Sequence, residues 1–160
     1  MNEISLRKIK QTDEQYFSKW WRDKELIALT SGDFNELHDS EVDKYFFKIQ
    51  ESKNDFHFII VLGDQAIGHI SLCKRKRNQY ETQIIIGEKK FWGQGYGTEA
   101  IKKLIKFASK KGISNIFLDV RPGNTRAIRS YEKAGFQKVG FISNPSNSNL
   151  PKVLRMSVLI

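Results

Sequence analysis

Ile84-Ile85-Ile86-Gly87-Glu88-Lys89-Lys90-Phe91-Trp92-Gly93-Gln94-Gly95-Tyr96-Gly97-Thr98-Glu99-Ala100 is the stretch on which the fold turns. Three β-branched residues in succession suit a strand covered on both faces. Gly93, Gly95 and Gly97 let the backbone approach another group closely and take conformations that a Cβ forbids. Behind them Ala100, Ile101, Leu104, Ile105 and Ala108 recur at helical spacing, with Lys102, Lys103, Lys106 and Lys110 mostly on other faces and Gly112 as the stop. A helix that starts behind a glycine loop turns its unpaired N–H groups and positive dipole end back on that loop. Such a construction binds an anion, most often a phosphate.

The whole-chain totals bound what surrounds this site. At 160 residues, 39% apolar and 28% charged, the chain is expected to form one globular domain with a real core, residues 1–160. A net charge of +9 fits a polyanionic partner, and equally a lysine-rich solvated face. The Met1-Asn2-Glu3 start lacks the profile of a secretory signal, and no apolar run nears the roughly 20 residues that span a bilayer. Cys73 is alone, so an internal disulfide is excluded, in keeping with a reducing cytoplasm. Three histidines with that one cysteine give no metal-ligand motif, and no metal is expected.

From the N-terminus, Ile4 and Leu6 alternate as an opening strand. Thr12-x-x-Gln15 has capping-box spacing and predicts a helix carrying Tyr16, Phe17, Trp20 and Trp21, of which the two tryptophans cannot both face one core. Residues 28–39 are polar and irregular. Ser40 is placed to cap a second helix with Val42, Tyr45, Phe46 and Ile49 as its apolar face. A hairpin follows, 56–62 and 66–73 about Gly63-Asp64, then a basic turn, Lys74 to Arg77, and the strand 80–86. Beyond the glycine loop and its helix come a strand over 116–120, a helix over 125–134 capped by Asn124, and strands over 136–141 and 152–158. Strands alternating with helices in this order predict an α/β domain with a mixed sheet.

The glycines fit neither common nucleotide motif. Gly97 is followed by Thr98-Glu99 where a P-loop needs Lys-Ser/Thr, and Thr98 stands where a Rossmann fingerprint needs its third glycine. Combined with Asn124-x-x-Ala127-x-x-x-Tyr131-Glu132-Lys133-x-Gly135-Phe136 after the next strand, however, Gln94-Gly95-Tyr96-Gly97 resembles the GNAT superfamily of N-acetyltransferases. The resemblance is specific over about 81–141. Trp92 stands where the loop motif usually has Gln or Arg, which is similar to the branch of ribosomal-protein alanine acetyltransferases. Gln83 to Ile86 and the Arg155-Met156 region are similar to spermidine acetyltransferases.

The resemblance implies a mixed, mostly antiparallel sheet flanked by helices, with acetyl-CoA as acetyl donor and no metal. It implies that backbone N–H groups of Gln94, Gly95, Tyr96, Gly97 and Thr98 cradle the pyrophosphate, and that Asn124, Ala127 and Tyr131 belong to the second cofactor motif. It further implies that the strand 81–86 splays from its neighbour near a bulge. Ile84, Ile85 and Ile86 then offer their backbone to pantetheine, with an N–H near Ile85 or Ile86 on the thioester oxygen. Tyr131, about two helical turns after Asn124, is the candidate general acid for the CoA thiolate. Glu81, sharing a strand face with Gln83 and Ile85, is the candidate base, directly or through a water, with His69 as a weaker one.

The expected reaction is direct acetyl transfer to a primary amine, on a small molecule or a protein N-terminus. The competing classes are a basic nucleic-acid-binding domain using Lys74–Arg77 and the 98–111 lysines, which no nucleic-acid motif supports, and a module that binds CoA without catalysis. The expected setting is cytoplasmic, without membrane contact, with a homodimer as the candidate assembly. Residues 20–50, where this family sets its acceptor, contain no motif that names one. The positive net charge argues against a polycation, although Glu36, Asp39, Glu41 and Asp43 offer local acidic walls.

Overall fold

The computed structural model describes residues 3–160. In chain order they form β1 (Ile4–Lys8), α1 (Glu14–Trp20), α2 (Lys24–Leu29), α3 (Asp39–Glu51), β2 (Phe56–Leu62), β3 (Gln65–Lys74), β4 (Gln79–Ile86), α4 (Tyr96–Lys110), β5 (Asn115–Val120), α5 (Thr125–Lys133), β6 (Gln137–Ser143) and β7 (Lys152–Leu159). Seven strands make one sheet in the order β1-β2-β3-β4-β5-β7-β6, antiparallel everywhere except between β4 and β5. The mixed, mostly antiparallel α/β architecture expected from the sequence is therefore the one found.

The two-residue period of the strands sorts side chains into two cores. Phe58, Ile60, Ile70, Leu72 and Tyr80 point to one face and are covered by Ala100, Ile101, Leu104 and Ala108 of α4, with Ile128 and Tyr131 of α5 in the same cluster. Ile59 and Ala66 point to the other face, under Phe17 and Trp20 of α1, Leu26 of α2 and Phe46 of α3. Helices thus cover both faces.

Several local expectations are corrected. The Thr12–Gln15 capping box does not form: Gln15 donates to the Thr12 carbonyl, and Asp13 instead accepts from the Lys10 N–H at 2.7 Å while paired with Arg7. Helix α3 begins at Asp39 rather than after Ser40, with the Glu41 carboxylate accepting the His38 N–H at 3.0 Å. Its face is narrower than expected, since Val42 and Phe46 are buried but Tyr45 is exposed. Both tryptophans do pack on one core, Trp20 fully buried and Trp21 at its margin. The short helix α2 was not anticipated; Asp23 caps it by accepting the N–H groups of Glu25 and Leu26.

Candidate active site: a cleft where the sheet comes apart

Strands β4 and β5 pair over only Gln79↔Asn115, Tyr80↔Ile116 and Glu81↔Phe117. Beyond that, β4 stays with β3 up to Ile86↔Gly68, and β5 stays with β7 up to Val120↔Leu154, so the two strands diverge. The expected splay is present, but β4 carries no bulge: its register with β3 runs unbroken from Tyr80 to Ile86, and the sheet's irregularities lie at Ile60/Val61 and Lys138/Gly140. The divergence opens a cleft of about 1070 Å³.

Strand alternation fixes which backbone groups face that cleft. The Gly87 N–H donates to the Ile67 carbonyl at 2.9 Å, so the matching groups of Ile85 also turn to β3 and those of Thr82, Ile84 and Ile86 turn away from it. Ile85 is thereby removed as an oxyanion donor. Ile86 keeps its N–H, but its carbonyl accepts the Trp92 indole N–H at 2.7 Å. Trp92, the departure from the loop motif, therefore closes the end of β4. It also carries the Arg126 guanidinium stacked 3.8 Å over its ring.

The glycine loop does what its composition implies, with one adjustment. Gly93 (φ 76°) and Gly95 (φ 88°) take left-handed conformations, and Gly95 caps α4. Gly97 has no such need, and a Cβ there meets only Ile86 at 3.9 Å. It leaves the cleft floor without a side chain at that point. The first helical bond runs from the Glu99 N–H to the Gly95 carbonyl, which leaves the N–H groups of Tyr96, Gly97 and Thr98 without helical partners. Gly95 to Thr98 line the cleft; Gln94 does not, its amide turning back to the Lys90 carbonyl at 2.7 Å.

Helix α5 supplies the opposite wall. Ala127 and Tyr131 line the cleft, and so do Arg126, Arg129 and Lys133, which the motif reading passed over. Their spacing of three and four residues was the available signal, because it puts three cations on one helical face. Tyr131 is buried beside Phe136, and burial alone pushes its hydroxyl up to about 12. Asn124 uses both ends of its amide structurally: its oxygen caps α5 at the Ala127 N–H, 3.2 Å, and its nitrogen donates to the Leu29 carbonyl, 3.2 Å. Thr82, missed by sequence reasoning, lies one residue beyond the last β4–β5 rung. Its buried hydroxyl has no hydrogen-bond partner among the described residues.

On the opposite sheet face, Glu81 lies at the root of the cleft with its carboxylate held by Arg75 at 2.7 and 2.8 Å. His69 also reaches the cleft lining. It packs against Phe17 and shares a 3.1 Å contact with His57, and burial, then the neighbouring His57, drives it down to about 3. Asp55, His57 and Cys73 bring metal-type ligand atoms within 4.8 Å of one another outside the cleft. There the Asp55 carboxylate already accepts from the Lys74 N–H and the Ser52 hydroxyl, each at 2.8 Å.

A free strand edge, a helix N-terminus and a row of cations around one cleft define a binding protein for a long phosphate-bearing ligand with amides in its arm. The model of the acetyltransferase (GNAT) domain matches residues 3–137, and the chain belongs to that family of acetyl-CoA-dependent N-acetyltransferases. It is 24% identical over 146 residues to the uncharacterized N-acetyltransferase p20 of Bacillus licheniformis, covering 87% of this chain and 82% of that one. The fold is shared with aminoglycoside acetyltransferase AAC(6')-Ib in complex with coenzyme A and kanamycin (TM-score 0.83, 19% identity, 98% and 95% of the two chains). It is shared equally with spermidine N-acetyltransferase from Vibrio cholerae in complex with CoA and spermine (TM-score 0.84, 20% identity, 98% and 95%). Among the described residues no helix is long and apolar enough to cross a membrane.

Proposed function

We propose that this chain transfers the acetyl group of acetyl-CoA to a primary amine by direct attack within the β4–β5 cleft. The observation that carries the reading is the edge of β4 beyond its last rung with β5, where both backbone groups of Ile84 and the N–H of Ile86 have no strand partner, lying between the α4 N-terminus and the α5 cations. The N–H groups of Tyr96, Gly97 and Thr98 suit the pyrophosphate. Arg126, Arg129 and Lys133 suit the remaining phosphate charge. The free edge suits the pantetheine amides, with the Ile84 or Ile86 N–H on the thioester oxygen.

In the reaction the neutral amine nitrogen attacks the thioester carbon, the tetrahedral centre collapses, and the C–S bond breaks. The departing thiolate takes the Tyr131 proton, which water restores. Tyr131 carries its proton throughout the neutral range. Burial, which pushes the hydroxyl up to about 12, makes it a weaker acid than a free phenol, so the transfer depends on the thiolate being held against it as the C–S bond breaks. Glu81 is three to five residues from Ile84–Ile86, about 10 to 16 Å along a strand rising about 3.3 Å per residue. At that distance, and with Arg75 holding it, Glu81 removes the amine proton through ordered water rather than directly.

Thiol release from acetyl-CoA across an amine panel tests the reading. Tyr131→Phe is expected to lower kcat by about 10- to 100-fold while leaving calorimetric CoA affinity unchanged. Full turnover in that variant removes Tyr131 from the mechanism, and an enzyme that fails to bind CoA removes the whole reading.

A further inference from the structure

With the pyrophosphate at the α4 N-terminus, the opposite face of the cleft is left to the acceptor, and its carboxylates are outnumbered by guanidiniums. Alternation along β4 and β5 puts Glu81, Asp119 and Arg121 on the face opposite α4, and Asp119↔Arg155 pairing brings β7 to the same face. Glu81 and Asp119 are the two carboxylates lining the cleft. Neither is free. Arg75 holds Glu81 at 2.7 Å, and Arg155 grips both oxygens of Asp119 in a fork at 2.8 and 2.7 Å. Acids outside the cleft lining are engaged as well: Asp23 and Glu25 share Lys89 at 3.0 and 2.8 Å, and Asp39 pairs with Arg22 at 2.7 Å. The acidic walls expected from Glu36, Asp39, Glu41 and Asp43 do not line the cleft.

Arg121 is the group left over. Its guanidinium donates to the Thr30 carbonyl at 3.2 and 3.3 Å and to the Asn149 carbonyl at 3.4 Å, and no carboxylate among the described residues pairs with it. A guanidinium has five N–H groups, so two remain for a ligand. Gly32 makes room for the guanidinium itself, since a Cβ there would sit 2.5 Å from Nη2. Two carboxylates thus face three guanidiniums, one of which has only neutral partners. A polycationic acceptor would have to displace a forked arginine from its carboxylate, whereas an anionic group finds a planar donor pair already held in place.

We infer that the acceptor carries a carboxylate or a phosphate in the same molecule as its amine, and that Arg121 is the group that reads it. This rests on the amine-acetylation reading above. Matched acceptors test it: ethanolamine against β-alanine and O-phosphoethanolamine, glucosamine against glucosamine 6-phosphate, and spermidine and kanamycin as polycations. The expected result is kcat/KM at least about tenfold higher for an anionic member than for its uncharged twin, with the polycations lowest. Whichever of β-alanine and O-phosphoethanolamine is preferred identifies carboxylate or phosphate as the anion. Arg121→Gln should raise KM for the anionic acceptor about tenfold with KM for acetyl-CoA unchanged, and Arg121→Lys should recover part of the loss. Equal twins, or faster turnover of spermidine or kanamycin, overturn the inference while leaving acetyl transfer intact. CoA binding by calorimetry without turnover of any amine overturns both. The wild-type panel decides even if an Arg121 variant folds poorly.

Discussion

Thr82 combines two conditions that folding alone does not reward: its hydroxyl is buried, and it has no partner among the described residues. A lost hydrogen bond of this kind costs about 1 to 3 kcal/mol. Thr82→Val keeps the shape and removes the orphaned group, so thermal stability should hold or rise. If the hydroxyl serves acetyl-CoA, KM for the donor should increase by about three- to tenfold. A lower Tm with unchanged KM would assign it to folding. His69 supplies the pH prediction. Its imidazole binds no proton in the fold until pH nears about 3, whereas the unfolded residue takes one near 6.5. The unfolded chain therefore binds more protons between those values, and stability falls as pH drops through that window. His69→Gln should flatten the decline in urea midpoint between pH 7 and pH 5. An unchanged slope would mean that other groups cause the acid loss.

At the level of elements, Trp92 joins three parts: the end of β4 through the Ile86 carbonyl, the glycine loop in which it lies, and α5 through Arg126. Trp92→Phe keeps an aromatic ring but strands the Ile86 carbonyl. About 1 kcal/mol of lost positioning corresponds to an acetyl-CoA KM about fivefold higher. Trp92→Gln, which retains a donor, should lie between variant and wild type, and steady-state titration of the donor orders the three. The glycine loop and α5 were readable from sequence because glycine and cap positions are local chemical demands, met within a few residues. Helix α2 was not, because six residues give too short a window for periodicity and only Asp23 announces it. The ion pairs were also hidden. Asp119 meets Arg155 across 36 residues, and no spacing rule connects them. The same distance effect concealed Asn124's second bond, 95 residues back to Leu29.

Across the whole molecule, the +9 charge has at least one definite location. Arg126, Arg129 and Lys133 border the cleft, whereas Arg75 of the basic turn is tied to Glu81. A cation row at a mouth that receives a polyanion raises its encounter rate, and salt screens that effect over a Debye length of about 8 to 10 Å. KM for acetyl-CoA should therefore rise with ionic strength. An Arg126→Gln, Arg129→Gln, Lys133→Gln variant should begin with a higher KM and a flatter salt dependence. Equal slopes would place the steering charge elsewhere.

The three-rung pairing of β4 with β5 also bears on how the molecule holds together. Four strands on one side and three on the other meet through the shortest ladder in the sheet, and beyond Glu81 no strand pairing among the described residues joins them, although α4 packs on both. A ligand arm lying along Thr82–Ile86 would complete the hydrogen bonding that the polypeptide leaves undone, serving as an eighth strand supplied from solution. Any melting temperature measured without CoA then belongs to two half-sheets on a narrow seam. The added stability should grow as RT ln(1 + [CoA]/Kd), so that part of the fold's cohesion is set by the cell's CoA concentration.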